Sequence, residues 1–460
     1  MGRQISQITE RLAPNAGILS VLRSATRLRR RDYPPLPSPG HNISDGRSSR
    51  GVPVPSYRQV LALGCSHVMP KTGRLVRLTA IIVVIGAACN GVPDPSGEPA
   101  TWARVEPASG EGVTYDVTAG GPGFVAVGIG GSSDLDAAVW TSPDGLSWTP
   151  VPDEDAVFGG EGDQWMFSVT AGGPGLVAVG AERTTDFDGA VWTSPDGLSW
   201  TRVPHDETVF GGDYGQEIVD ETSGGPGLVA VGSDGPSSAA RPAVWTSPDG
   251  LTWSRAPRDQ IASDADERSL MSAVTRGGPG LVAVGQIGEF PSTSAAVWTS
   301  PDGVTWSRVP HDDSVLGGEG GYKMEAVTAG GPGLVAVGTH RPVPTESDAA
   351  VWNSPDGIVW SRASADGARF GGEGSQRMRS VTLVGSSLFA AGSSEDSDLD
   401  AAFWVSSDGI TWSRLEDDSE VFGGDGTQGV IGATASDQGL VAVGGDNGGA
   451  AIWVAAIISE

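Results

Sequence analysis

The sequence predicts an all-β fold, a seven-bladed β-propeller with four antiparallel strands per blade, from three observations. The first is composition: 69 Gly, 32 Pro and 15 Trp in 460 residues are too aromatic for disorder and too glycine-rich for long helices. Short strands joined by tight turns remain. The second is an internal repeat of 52 to 54 residues beyond residue 100, marked by Trp148, Trp200, Trp253, Trp306, Trp360 and Trp412. The third is its phase. The repeat region opens on the fourth strand of a unit, around Trp102, and closes on the third, ending in Ala451–Trp453. Joining the two ends completes a seventh blade and closes the ring, which removes exposed sheet edges. A solenoid would need capping repeats and would leave this phase unexplained.

Within a unit the elements follow from local chemistry. Met166–Ala171 is the first strand. GGPG then turns the chain into Leu176–Gly180, whose LVAVG is apolar at every position, so both faces are expected to be buried. A variable loop leads to the third strand, Gly189–Thr193, which carries a second Trp series at 140, 192, 245, 298, 352, 404 and 453. The turn SPDG leads to the fourth, Leu198–Val203; Asp-Gly and Gly-Pro are turn formers. Trp165 alone among the tryptophans is not a repeat position. Met166, Met271, Met324 and Met378 share one first-strand position, with Ile218 and Val430, and read as core between blades.

Charge is divided. Residues 1–88 hold 13 Lys and Arg against Glu10, Asp32 and Asp45, whereas the remainder holds 16 against 53 acids, for a net charge of −27 overall. A body this acidic repels nucleic acid and anionic lipid surfaces and leaves cations, sugars and basic proteins as partners. Lys71, Arg74 and Arg77 precede an apolar or small run, Leu78–Ala88, too short to span a bilayer and of the length of a signal core. With Cys89 next, residues 69–88 resemble a bacterial lipoprotein signal peptide, which implies lipidation of Cys89 and display at the outer side of the cytoplasmic membrane. Residues 1–68 are expected to be disordered, or an extension ahead of a true start at Met69; 89–100 form a linker and 101–460 the propeller. With Cys65 and Cys89 the only cysteines, the body has neither a disulfide nor a cysteine metal site.

SPDGLSW (142–148, 194–200), SPDGLTW (247–253), SPDGVTW (300–306), SPDGIVW (354–360) and SSDGITW (406–412) resemble the Asp-box, or bacterial neuraminidase repeat, of sialidase-like propellers, one residue shorter than the family pattern. The resemblance covers the whole repeat region. It implies a structural motif made of Ser142, Asp144, Trp148; Ser194, Asp196, Trp200; Ser247, Asp249, Trp253; Ser300, Asp302, Trp306; Ser354, Asp356, Trp360; and Ser406, Asp408, Trp412. Ser and Asp would bind turn amides, and Trp would plug the gap between layers. Sialidase chemistry in that family uses three arginines, a Tyr–Glu pair and an acid/base Asp. Here Arg104, Arg202, Arg255, Arg308, Arg362 and Arg414 occupy one repeated outer-strand place, and Tyr115, Tyr214 and Tyr322 are the propeller's tyrosines.

The site is expected on the face of the variable loops. FGGEG-like links put Glu161, Asp213, Glu319, Glu373 and Asp425 in one register, a candidate ring for Ca²⁺ or, alternatively, simple turn caps. Trp165, Tyr214 and Tyr322 break the repeat and are candidates for stacking on a sugar, or for packing between blades. The sequence holds no zinc spacing, phosphate loop or nucleophile elbow. The expected function is that of a non-catalytic recognition or scaffold module for a glycan or an envelope or extracellular protein, in a monomeric, exported propeller; the alternative is a glycoside hydrolase of the sialidase-like group, with two facing carboxylates near the channel mouth.

Overall fold

The computed structural model describes residues 102–455, apart from 106, 108–111, 132–134, 153, 264–266, 365–369, 372–373, 396–397, 417, 425 and 448. Cys89, the signal segment and the N-terminal stretch lie outside the described residues. Seven four-stranded antiparallel sheets form seven blades, I to VII. Their inner strands are Val113–Gly120, Asp163–Gly172, Gln216–Gly224, Ser269–Gly277, Gly321–Gly330, Ser375–Val384 and Gln428–Ser436. Each packs on the next in chain order, and that of blade VII packs on that of blade I. Blade VII takes its outer strand from the other end of the repeat region: Trp102–Val105 pairs antiparallel with Gly449–Ala455, Trp102 opposite Ala455 and Val105 opposite Ile452.

Hydrophobic burial lies mainly between blades. Each main cluster joins two neighbours, as Val177, Val179 and Val191 of blade II do with Leu228, Ala230 and Trp245 of blade III. The third-strand tryptophans are fully buried, and Trp192, Trp245, Trp298, Trp352 and Trp453 donate their indole N–H to a carbonyl of the preceding link at 2.7–2.9 Å. The Met166 series is buried as expected, with Thr114 as its seventh member. Phe158, Phe210, Leu316, Phe370 and Phe422 of the FGG links are buried plugs, so the repeated Gly-Gly serves to turn the chain behind an apolar wedge.

The fourth strand is shorter than predicted. In blade II only Thr201 and Arg202 pair, against Thr193 and Trp192. The cause is the SPDG turn, which holds the amides of Leu198 and Ser199 on the Asp196 carboxylate at 2.9 and 2.7 Å and keeps both residues out of the ladder. Ser194 Oγ accepts from the Gly197 amide at 2.8 Å, Gly197 sits at φ +79°, and Trp200 returns its indole N–H to the Gly197 carbonyl at 3.0 Å. Trp102, in a blade without this turn, packs instead tilted on Phe403 and edge-on to Phe422, with ring centroids 4.2 and 5.5 Å apart.

Candidate functional site in the central channel

The SPDG network repeats in all six copies, so Ser142, Ser247, Ser300, Ser354 and Ser406 act as Ser194 does. In Asp196, Asp249, Asp302 and Asp356 the turn amides hold the carboxyl below its ordinary range. In Asp144 and Asp408 burial pulls upward and the same amides outweigh it. In each copy the Ser hydroxyl, one Asp carboxylate oxygen and the Trp indole N–H are thereby engaged within the turn, as in Ser142, Asp144 and Trp148. Ser194→Ala is expected to cost about 1 kcal/mol in urea denaturation, by orphaning the Gly197 amide, with ligand binding unchanged.

The other predicted residues scatter. Glu161, Asp213 and Glu319 are exposed on their links and line neither cavity described below; Glu373 and Asp425 lie outside the described residues. Tyr214 is exposed. Trp165 is buried at 4% exposure against Val113, Tyr115 and Ile129, with Arg183 over its ring, so it packs between blades and offers no sugar platform. Tyr322 is also buried, stacked on His340 at 4.2 Å with the Arg362 guanidinium 4.1 Å from its centroid, though its edge reaches a pocket. The outer-strand arginines serve their own blades. Arg104, Arg202 and Arg255 fold over Trp453, Trp192 and Trp245 and pair with Asp446, Glu182 and Asp234. Among the described residues, the His and carboxylate group whose ligand atoms all lie within 4.8 Å of one another is Asp188, His205 and Glu207, at the surface of blade II.

What all seven inner strands bring together is a channel of about 400 Å³. Every inner strand bulges at one place, after Thr114, Met166, Ile218, Met271, Met324, Met378 and Val430. Opposite each bulge the neighbouring strand carries the last Gly of its VAVG-type run, as in Gly180, where a Cβ would collide with the Trp165 carbonyl. The bulge turns two consecutive residues toward the channel. Aligned on it, the strands read TYDVT (114–118), MFSVT (166–170), IVDET (218–222), MSAVT (271–275), MEAVT (324–328), MRSVT (378–382) and VIGAT (430–434). Six copies keep a small aliphatic in the fourth place; blade III has Glu221. In the third place most are small, but blades I and III carry Asp116 and Asp220. Blades V and VI carry Glu325 and Arg379 on the bulge itself.

These departures form two charged arcs. On blades I to III, Ser168 Oγ lies 3.1 Å from Asp116 Oδ2 and 3.1 Å from Asp220 Oδ1. The same Asp116 oxygen accepts the Val169 amide at 3.0 Å, and Asp220 Oδ2 accepts the Val274 amide at 2.7 Å, so each carboxylate clasps the next blade. Glu221 is 4% exposed, and neither of its oxygens has a hydrogen bond of normal geometry. Burial pushes Asp116 up to about 6 against its amide and hydroxyl bonds. It pushes Asp220 up to about 7, helped by the charge of Asp116. Glu221 is raised well above the carboxylate range by burial and then by Asp220 and Asp116, an effect that Ser168 and the Thr170 amide offset only in part.

On blades IV to VI a second pocket of about 300 Å³ opens beside the channel, toward the variable loops that contribute Ser237, Phe290 and Thr293. It gathers Arg268, Lys323, Arg341, Arg377 and Arg379 against Glu289 and Glu325. Lys323 pairs with Glu325 at 2.7 Å, Arg377 donates to Ser347 Oγ at 3.1 Å, and Arg268 donates to the Ser237 carbonyl at 2.8 Å. Burial, then the charges of Arg379 and Arg341, push Arg377 down to about 10. Burial also lowers Arg268 and Arg379. Arg341 lies over the exposed ring of Phe290, 5.2 Å from its centroid. Lys323, Glu325 and Arg379 line both cavities, so pocket and channel share a wall.

No protein-family model and no curated protein matches this chain. Solved structures similar to it include a thermostable family-43 glycoside hydrolase, at 15% identity over 58% of this chain and 95% of that one, with a TM-score of 0.33. A Trypanosoma rangeli sialidase mutant displaying trans-sialidase activity is 12% identical over 78% of this chain, TM-score 0.40; the present chain spans 59% of its length. An ulvan lyase of polysaccharide lyase family PL25 is 11% identical over 77% of this chain and 96% of that one, TM-score 0.48. All three named proteins are carbohydrate-acting enzymes, and at these identities and scores none of their chemistry is carried to this chain.

Proposed function

We propose that this protein is a recognition module that holds an acidic glycan, a carboxylated or sulfated sugar, in the pocket of blades IV to VI. The supporting observation is five cationic side chains crowded round one cavity in a chain of net charge −27, with Arg377 depressed by burial and then by the charges of Arg379 and Arg341. An anion relieves that repulsion, and guanidinium forks suit planar carboxylates and sulfates. The exposed Phe290 ring at the pocket supplies an apolar face of the kind that sugars stack on. The protein would be displayed outside the cell through Cys89. Calorimetric titration of the full chain with trigalacturonate, a sulfated disaccharide and sialyllactose, against lactose, tests the reading. Saturable binding of an acidic sugar that weakens with salt is the expected result; equal responses to lactose overturn it.

A second reading, glycoside hydrolysis, has one observation in its favour. Asp116 and Asp220 share a hydroxyl across the channel from the basic arc, and a carboxyl near 7 suits a general acid. Turnover of a chromogenic uronide or sialoside, lost in Asp220→Asn with binding retained, is its expected sign. Absence of turnover in the unmodified protein closes it.

A further inference from the structure

The acidic arc is short of positive charge. A serine hydroxyl carries one hydrogen, yet Ser168 Oγ lies 3.1 Å from a carboxyl oxygen on either side, so one of those contacts needs a further hydrogen, from a protonated carboxyl or from a guest. Beside it stands Glu221, buried and without a hydrogen bond of normal geometry to either oxygen, at a place where five sister blades carry Val and the sixth Ala. Nothing in blade packing calls for a carboxyl there. Among the described residues the close-set trio of ligand atoms is Asp188, His205 and Glu207, not these three carboxylates. Several acceptors grouped round one hydroxyl suit a cation with several N–H donors.

We propose that Asp116, Asp220, Glu221 and Ser168 form a binding site for the ammonium group of an organic amine, seated in the channel wall of blades I to III. An ammonium presents three N–H donors, enough to bond both aspartates and Glu221 and to leave the Ser168 hydrogen for one carboxylate. Because the unliganded cluster holds protons, the guest displaces them, and its affinity rises with pH. The proposal is independent of the acidic-glycan reading, which rests on blades IV to VI; a ligand bearing both an amine and an acid would use both arcs.

The test uses cyclohexylammonium, a ring about the size of a sugar, against neutral cyclohexanol, with Ca²⁺ as a separate arm, on the full chain. Titrations are run in two buffers of different ionisation enthalpy between pH 6 and 8. The expected result is saturable binding of the amine alone, with proton release, and tighter binding at pH 8 than at pH 6. Affinity falls at least tenfold in Glu221→Val and in Asp220→Ala. Both variants copy residues of sister blades (Val169 and Ala273), and an unchanged circular dichroism spectrum shows that they fold. Equal amine affinity in Glu221→Val, equal binding of cyclohexanol, or binding of Ca²⁺ but not of the amine each overturns the proposal. No saturable binding overturns it too, and leaves the cluster as a holder of protons.

Discussion

Glu221→Val is expected to raise the stability of the protein by about 2 kcal/mol, because it removes a buried carboxyl that has no hydrogen bond of normal geometry. The gain is read as a rise of about 2–4 °C in the unfolding midpoint, since a chain this long has a large unfolding entropy. The pH dependence gives a sharper check. In the folded protein Asp116 titrates near 6 and Asp220 near 7, whereas in the unfolded chain both titrate near their ordinary value of about 4. Between these values the native state holds protons that the unfolded state has released. The stabilising effect of those protons is complete below about pH 4 and is lost as pH rises through 6 and then 7. The unmodified protein therefore loses midpoint between pH 5 and pH 8. The double variant Asp116→Ser with Asp220→Ala loses less over the same interval. Parallel curves for the two proteins would mean that the channel carboxyls ionise as they do in water.

A substitution that stabilises the fold while abolishing ligand binding marks a residue kept for function at the expense of stability. That asymmetry explains how much of the molecule was legible in its sequence. Blades, GGPG and SPDG turns and the phase of the repeat could be read because each copy repeats the same physical necessity, a buried strand or a bound turn amide. Trp165 left two readings open, stacking on a sugar or packing between blades, because a break in the repeat does not say which way a side chain faces; its ring packs against Tyr115 and Ile129 of blade I. The channel residues were hidden in segments such as IVDET and MRSVT, whose apolar frame reads as one more strand. Only the bulge, a feature of pairing register rather than of composition, turns Asp220 and Arg379 toward a common space. Aligning the seven inner strands letter by letter, beyond the methionine position, exposes Glu221 at once.

Arg379→Gln is expected to weaken acidic-sugar binding about 30-fold or more, equivalent to about 2 kcal/mol, while leaving the midpoint nearly unchanged or lower by a few degrees. Arg379 is 7% exposed on the bulge of blade VI, it lines both cavities, and burial already works against its charge. A buried cation of this kind contributes most when an anion is present, because little water lies between them. Glutamine keeps a polar side chain, shorter than arginine, but removes the fork and the charge, so loss of affinity without loss of fold marks the guanidinium as the binding group. Arg202→Gln provides the contrast. Arg202 sits on the outer strand of blade II, paired to Glu182 and folded over Trp192, remote in the repeat from the channel. It is expected to cost stability and to leave affinity untouched. Should both variants bind alike, the cations of blades IV to VI serve only to balance Glu289 and Glu325, and the recognition surface must be sought among the exposed acidic links at Glu161, Asp213 and Glu319.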